Sequence, residues 1–188
     1  TMARYMSKTV VDQLLDGDRD ALGGTSQTVT TLFSDIRGFT THSEKTGARE
    51  TVRMLNEYFT EMVEVIDDHQ GILDKYIGDA VMALFGAPFV NQEDAQNALD
   101  TADVMIRRLN ELNSRRAERS QASIRIGIGI NSGEVVAGNI GSPKRMDYTV
   151  IGAPVNLAAR LESATETYGA QILLSENTLV LLRRRDLI

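Results

Sequence analysis

"ILDKYIGDAVMALFG", residues 72–86, holds two short apolar runs separated by Gly78 and Asp79. Gly-Asp is a frequent two-residue turn between alternating apolar segments, so the stretch predicts a β-hairpin. The turn explains Gly78. It does not explain why Lys75 stands four residues before Asp79 in an otherwise apolar ribbon. Nor does it say whether Asp79 only shapes the bend or holds something.

Regular periodicity continues on both sides of the hairpin. "TVTTLFSDI" (28–36) is β-branched and apolar, the pattern of a buried strand. "SEKTGARETVRMLNEYFTEMVEVIDDHQ" (43–70) places Val52, Leu55, Phe59, Met62, Val63 and Ile66 at helical spacing. "QEDAQNALDTADVMIRRLNELNSRRAE" (92–118) is a second long helix, with Ala98, Ala102, Met105, Ile106 and Leu109 on one face. "SIRIGIGINSGEVVAGNIG" (123–141) reads as two strands broken at Asn131-Ser132-Gly133. "APVNLAARLESATETYG" (153–169) is a third helix with Pro154 near its start, where a missing N–H costs little. "AQILLS" is a strand and "ENTLVLL" a short final helix. The order β α β β α β β α β α predicts an α+β fold. Its centre is a ferredoxin-like, palm-like βαββαβ core with a C-terminal extension, its helices on one face of a mainly antiparallel sheet.

The bulk composition fits this reading. The 188 residues suit one domain with a full core, and 42% apolar with 24% charged residues are globular values. Residues 1–27 read as a lead-in, a short amphipathic helix ("YMSKTVVDQLL") and a polar linker, ahead of a domain spanning 28–188. A net charge of −6 argues against a general nucleic-acid binder, although a nucleotide needs only a local set of cations and amides. The absence of cysteine excludes disulfides, thiolate zinc sites and a cysteine nucleophile. No apolar run reaches the roughly 18–20 residues that cross a bilayer, and no signal peptide opens the chain, so a cytoplasmic protein away from the membrane is expected.

Asp35 ends the first strand and is followed by "IRGFT". If the first strand and the first strand of the hairpin are neighbours, Asp35 and Asp79 meet at one edge of the sheet. Close carboxylates repel unless a cation or proton sits between them. Oxygen ligands select Mg²⁺ or Mn²⁺, and Mg²⁺ commonly takes one or two carboxylates together with substrate phosphates. The "IRGFT" turn, with Phe39 and Thr40, adds backbone N–H groups leading into a helix, a cradle for phosphate oxygens. The constellation predicts an Mg-nucleotide site.

"FSDIRGFT", "KYIGDAVMALFG", "IRIGIGINSGEVVAGNIG" and "YTVIGAPVNLAARLE", in this order and spacing, resemble the catalytic domain of class III nucleotidyl cyclases over about residues 28–182. The chain is most similar to soluble cyanobacterial and bacterial adenylyl cyclases, including bicarbonate-responsive ones. The resemblance implies a head-to-tail homodimer converting ATP to 3′,5′-cyclic AMP and pyrophosphate. Asp35, Asp79 and the carbonyl of Ile36 would hold two Mg²⁺ or Mn²⁺ ions. A second copy would supply Lys75, Thr149, Asn156 and Arg160, with Asn156 orienting the ribose and Arg160 meeting charge at the α-phosphate. Arg125 fits the family's arginine that meets the outer phosphates. The resemblance also raises bicarbonate as an effector and regulatory domains upstream in a longer chain.

Lys75 can donate to N1 of adenine, where related guanylyl cyclases carry glutamate, so it favours ATP. Thr149 replaces the commoner aspartate that accepts from the adenine amino group; a hydroxyl accepts or donates, which leaves GTP open. The family's C-terminal triphosphate lysine has no counterpart after Lys144, and Arg183–Arg185 read as a solvated helix end. A diguanylate cyclase would show a Gly-Gly-acidic-Glu-Phe turn where this hairpin has "YIGDAV". A non-enzymatic dimerisation module would have lost members of the Asp/Asp/Asn/Arg set, all present here. His42 and His69 lack paired ligand spacing.

Overall fold

The computed structural model describes residues 24–142, 144–184 and 186. The helix expected within residues 1–23 lies outside them. In chain order the elements are β1 (Thr25–Ile36), α1 (Phe39–Thr46), α2 (Ala48–Asp68), β2 (Ile72–Ile77), β3 (Ala80–Phe85), α3 (Asp94–Glu118), β4 (Ile126–Ser142), β5 (Arg145–Ile151), α4 (Ala153–Tyr168), β6 (Ile172–Leu174) and α5 (Glu176–Leu179). The strands form one sheet ordered β2-β3-β1-β4-β5, with β6 beside β4 as its parallel member. The α+β class and the mainly antiparallel sheet agree with the sequence.

Three local expectations change. The hairpin strand next to β1 is β3, not β2, in the register Thr30↔Phe85 to Ser34↔Val81. Hydrophobicity explains the choice. Val81 to Phe85 are all buried, whereas Lys75, Tyr76 and Ile77 of β2 are exposed, so the more apolar strand takes the interior position. The strand expected to break at Asn131-Ser132-Gly133 instead runs through to Ser142. Its polar residues find partners on other elements: Asn131 Nδ2 donates to Pro154 O at 2.8 Å, and Ser132 Oγ lies 2.7 Å from Thr30 Oγ1 and 3.0 Å from Thr178 Oγ1. The chain turns later, and β5 is the second strand of that pair. The helix expected from Ser43 is two helices, divided at Gly47 with φ 80°.

The sheet is covered on both faces, not one. Leu32, Ile36, Ile126, Ile128 and Ile130 point to α2 and α3, where they pack with Tyr58, Met62, Ile66, Ala98, Ala102 and Met105. Alternation sends Val29, Phe33, Val135 and Ala137 to the opposite face, where they pack with Ala158 of α4. The buried stripe of α2 also differs from the sequence pattern. Met54, Tyr58, Met62, Val65 and Ile66 face the core, while Val52 is exposed. Tyr58 turns inward because Ser34 meets its hydroxyl at 2.7 Å, which satisfies the polar tip of a fully buried ring.

The glycines of "IRIGIGINSG" now have a reason. They fall on the α4 face of β4, and a Cβ at Gly129 would lie 2.1 Å from Glu162 N and 2.3 Å from Ala158 O. That obstruction is helix backbone, which cannot rotate aside. Gly129→Ala is therefore expected to destabilise the fold by about 1–3 kcal/mol or more, through overpacking. A urea melt would show it as a lower midpoint with an unchanged slope.

Candidate active site

The β1–β3 register sets the site. Ser34 pairs with Val81, so Asp35 and the turn residue Asp79 come to the same end of the sheet. They share a cleft of about 290 Å³ with Ile36, Phe39, Thr40 and Thr41 on one side and Glu162, Ser163 and Glu166 of α4 on the other. Gly78 (φ 65°) and Gly38 (φ 67°) take the left-handed conformation at the two turns that border it. Gly38 is also the N-cap of α1, and no side chain caps that helix start. The first N–H groups of α1 are thus left uncapped beside the cleft, where an anion is stabilised.

The aspartates form a strained pair. Burial first, then the carboxylate of Asp35, push the Asp79 carboxyl up to about 7, against the backbone N–H groups of Asp79 and Ile36. Asp79 Oδ2 is buried with no hydrogen-bond partner. Ile36 N donates to Asp35 Oδ1 at 3.0 Å. A buried, unpartnered carboxylate oxygen facing a second carboxylate is a donor set that fits a hard divalent cation. Among the described residues no group of three or more His, Cys, Asp or Glu could hold a metal by itself. That suits ions whose remaining ligands come from a phosphate substrate.

Glu162 was not singled out in the sequence. Burial and then Asp35 raise its carboxyl as well, and it stands in the wall of the same cleft. The signal was present in the i, i+4 pair Glu162/Glu166, but only the packing of α4 on β4 shows which way that pair faces. Arg37 braces this wall, reaching Thr165 Oγ1 and donating to Ala170 O at 3.3 Å.

The other expected residues do not line the cleft. Lys75 and Thr149 meet elsewhere, on Asp74: Thr149 Oγ1 donates to Asp74 Oδ2 at 3.0 Å, and Lys75 Nζ lies 3.4 Å from the same oxygen. Burial pushes the Asp74 carboxyl up, while the Thr149 hydroxyl and the Lys75 ammonium pull it back. Asn156 and Arg160 are exposed on α4, on a different flank from Glu162 and Glu166. Arg125 is exposed just before β4, at the aspartate end of the sheet, where its carbonyl accepts from Arg37 N at 2.8 Å. Arg183 and Arg184 are held on α3 and the residues before it, at 2.5 Å from Glu93 and 2.6 Å from Asp100. These ion pairs hold residues 183 and 184 against that part of the domain. His69 ends α2, its Nδ1 2.8 Å from Val65 O.

One chain therefore carries two half-constellations, an acidic cleft and a separate Lys75–Thr149 pair with an outward-facing Asn156/Arg160 flank. Residues 24–187 match the family described as the adenylate and guanylate cyclase catalytic domain, and the chain belongs to it. An adenylate cyclase of Anabaena cylindrica is 42% identical over 153 residues, 79% of this chain and 30% of that protein. Among solved structures, the guanylyl cyclase Cya2 is 43% identical with a TM-score of 0.81, covering 87% of this chain and 82% of that one. The adenylyl cyclase CyaB of P. aeruginosa is 39% identical with a TM-score of 0.80, covering 85% and 82%. The chain spans under a third of the length of the curated relatives it matches. Among the described residues no helix is long and apolar enough to cross a membrane.

The aspartate pair makes a prediction about stability. A carboxyl raised in the folded state stabilises the fold below its unfolded value of ~4 and loses that contribution as pH rises through about 7. Metal-free protein should lose stability between these pH values, by ~1 kcal/mol once solvent screening of a half-exposed group is allowed for. Thermal melts across this range should show a larger loss in the wild type than in Asp79→Asn, which keeps the raised carboxyls of Glu162 and Asp74. Mn²⁺ should raise the melting temperature of the wild type far more than that of the variant.

Proposed function

We propose that this domain is an adenylyl cyclase, making 3′,5′-cyclic AMP and pyrophosphate from ATP at sites shared between two copies of the chain. The observation that supports this most is the division just described. The acidic cleft has the groups to receive a triphosphate, and the base-reading and ribose-side groups stand on another surface of the same chain. A second copy placed head to tail would bring one half to the other at two equivalent sites.

In this reading Asp35, Asp79 and the Ile36 carbonyl hold two Mg²⁺ or Mn²⁺ ions. Bound there, the ions neutralise the triphosphate and make the ribose 3′-hydroxyl a better nucleophile. The uncapped start of α1, with Phe39 and Thr40, receives phosphate oxygens through backbone N–H groups. Arg125, at the same end of the sheet, meets the outer phosphates. Asn156 of the second copy fixes the ribose so that its 3′-oxygen lies in line with the α-phosphorus. The 3′-oxygen forms a bond to that phosphorus, the bond to the pyrophosphate oxygen breaks, and the 3′ proton leaves. Arg160 offsets charge on the α-phosphate as the bonds exchange, a contribution commonly worth ~10²–10³ in rate. Lys75 donates to N1 of adenine and Thr149 receives its 6-amino group. Bicarbonate responsiveness belongs to the same proposal, resting on Thr149 alone. A flat activity response to bicarbonate at fixed pH would remove it.

The likeness to Cya2 makes guanine the competing base. Purified chain incubated with Mn²⁺ and either ATP or GTP separates the two readings once the cyclic nucleotide is identified. Cyclic AMP should form with little cyclic GMP. Predominant cyclic GMP would reassign the domain as a guanylyl cyclase, and neither product from a folded dimer would remove the catalytic reading.

A further inference from the structure

Asp74 and Lys75 are adjacent in β2, and adjacent side chains of a regular strand point to opposite faces. Here they point the same way, because the strand is irregular at this place. Leu73 pairs with Ala83 and Lys75 with Met82, so two steps on β2 match one on β3 and Asp74 is the extra residue of a β-bulge. Bulges re-aim side chains. This one brings the Asp74 carboxylate under Lys75 and against Thr149 of β5, whose strand lies at the far end of the sheet order. The Asp74 side chain is only 1% exposed, and its second oxygen, Oδ1, is buried without a hydrogen-bond partner.

The polarity of this cluster is determined. An ammonium has no lone pair, so the oxygen facing Lys75 Nζ must accept. That oxygen is Oδ2, which Thr149 Oγ1 also contacts at 3.0 Å, so the threonine hydroxyl must donate to it. The single proton of Thr149 is thereby committed inward. What its oxygen offers outward is lone pairs alone. Lys75, tethered by the same carboxylate, offers protons alone.

We propose that Asp74 is the positioning residue that sets base specificity, by committing the Thr149 proton and tethering Lys75 so that the pair presents one acceptor beside one donor. The inference rests on the nucleotide site proposed above and removes the ambiguity of a threonine at that place. Adenine matches this arrangement, with a 6-amino donor and an N1 acceptor. Guanine offers the reverse at both places, a 6-oxo acceptor and an N1–H donor.

The test compares equilibrium binding of α,β-methylene ATP and α,β-methylene GTP, in parallel with turnover, for the wild type, Asp74→Leu, Asp74→Asn and Thr149→Val. Leucine fills the space and removes the acceptor, and the Lys75 side chain is 44% exposed, so its ammonium is left to solvent and not buried without a partner. The ATP-over-GTP binding ratio should fall about tenfold in Asp74→Leu, the worth of one hydrogen bond of the wrong polarity. Asp74→Asn keeps an oxygen for Lys75 and Thr149 and should retain the preference. The double variant Asp74→Leu/Thr149→Val should lose no more than Asp74→Leu alone, since removing Asp74 already releases the Thr149 proton. A ratio unchanged in Asp74→Leu, or a wild type that binds both analogues equally, overturns the inference. Because the ratio is read by binding, it stands apart from catalysis. A wild type that prefers the ATP analogue but forms no cyclic nucleotide would defeat the cyclase reading and leave the role of Asp74 supported.

Discussion

Two like charges are held together at the end of a sheet, and much of the site follows from that contact. Asp35 and Asp79 are brought together by the antiparallel pairing of β1 with β3, not by any attraction between them. The pairing is secured by Leu32, Val81, Ala83 and Phe85 in a buried core, while the local electrostatics at its end are unfavourable. Core packing thus holds a carboxylate pair that a proton or a cation between the two groups would relieve. The buried, unpartnered Oδ2 of Asp79 is the structural mark of that arrangement.

The second constraint is the close approach of α4 to β4. Gly129 lets the helix backbone sit directly on the strand, and this fixes the rotation of α4 about its own axis. One flank, with Glu162 and Glu166, then closes the acidic cleft of the same chain. Another flank leaves Asn156 and Arg160 exposed, away from that cleft. The glycine pattern and the outward placement of Asn156 and Arg160 are therefore linked through the orientation of a single helix.

Much of this was legible in the sequence. Fold class, the hairpin turn and the meeting of Asp35 with Asp79 could be read from periodicity and turn chemistry. The neighbour of β1 was misassigned because hairpin strands are compared reliably only by burial, and β3 proved the more apolar of the two. The supposed break at Asn131–Gly133 failed because those polar residues find partners on α4, α5 and β1, contacts that no local pattern encodes. Asp74 was passed over for a similar reason. Its importance depends on a bulge and on a strand more than seventy residues away, joined through the Thr149 hydrogen bond.

The central claim is that each site needs two chains, and subunit mixing tests it most directly. Asp35→Ala and Arg160→Ala proteins would be assayed separately and then after exchange of subunits, with exchange verified by differently tagged copies. Each variant alone should be inactive. A mixed dimer would hold one site with both lesions and one with neither, so activity should return in the mixture. Verified mixed dimers with no recovered activity would contradict a site shared across the interface.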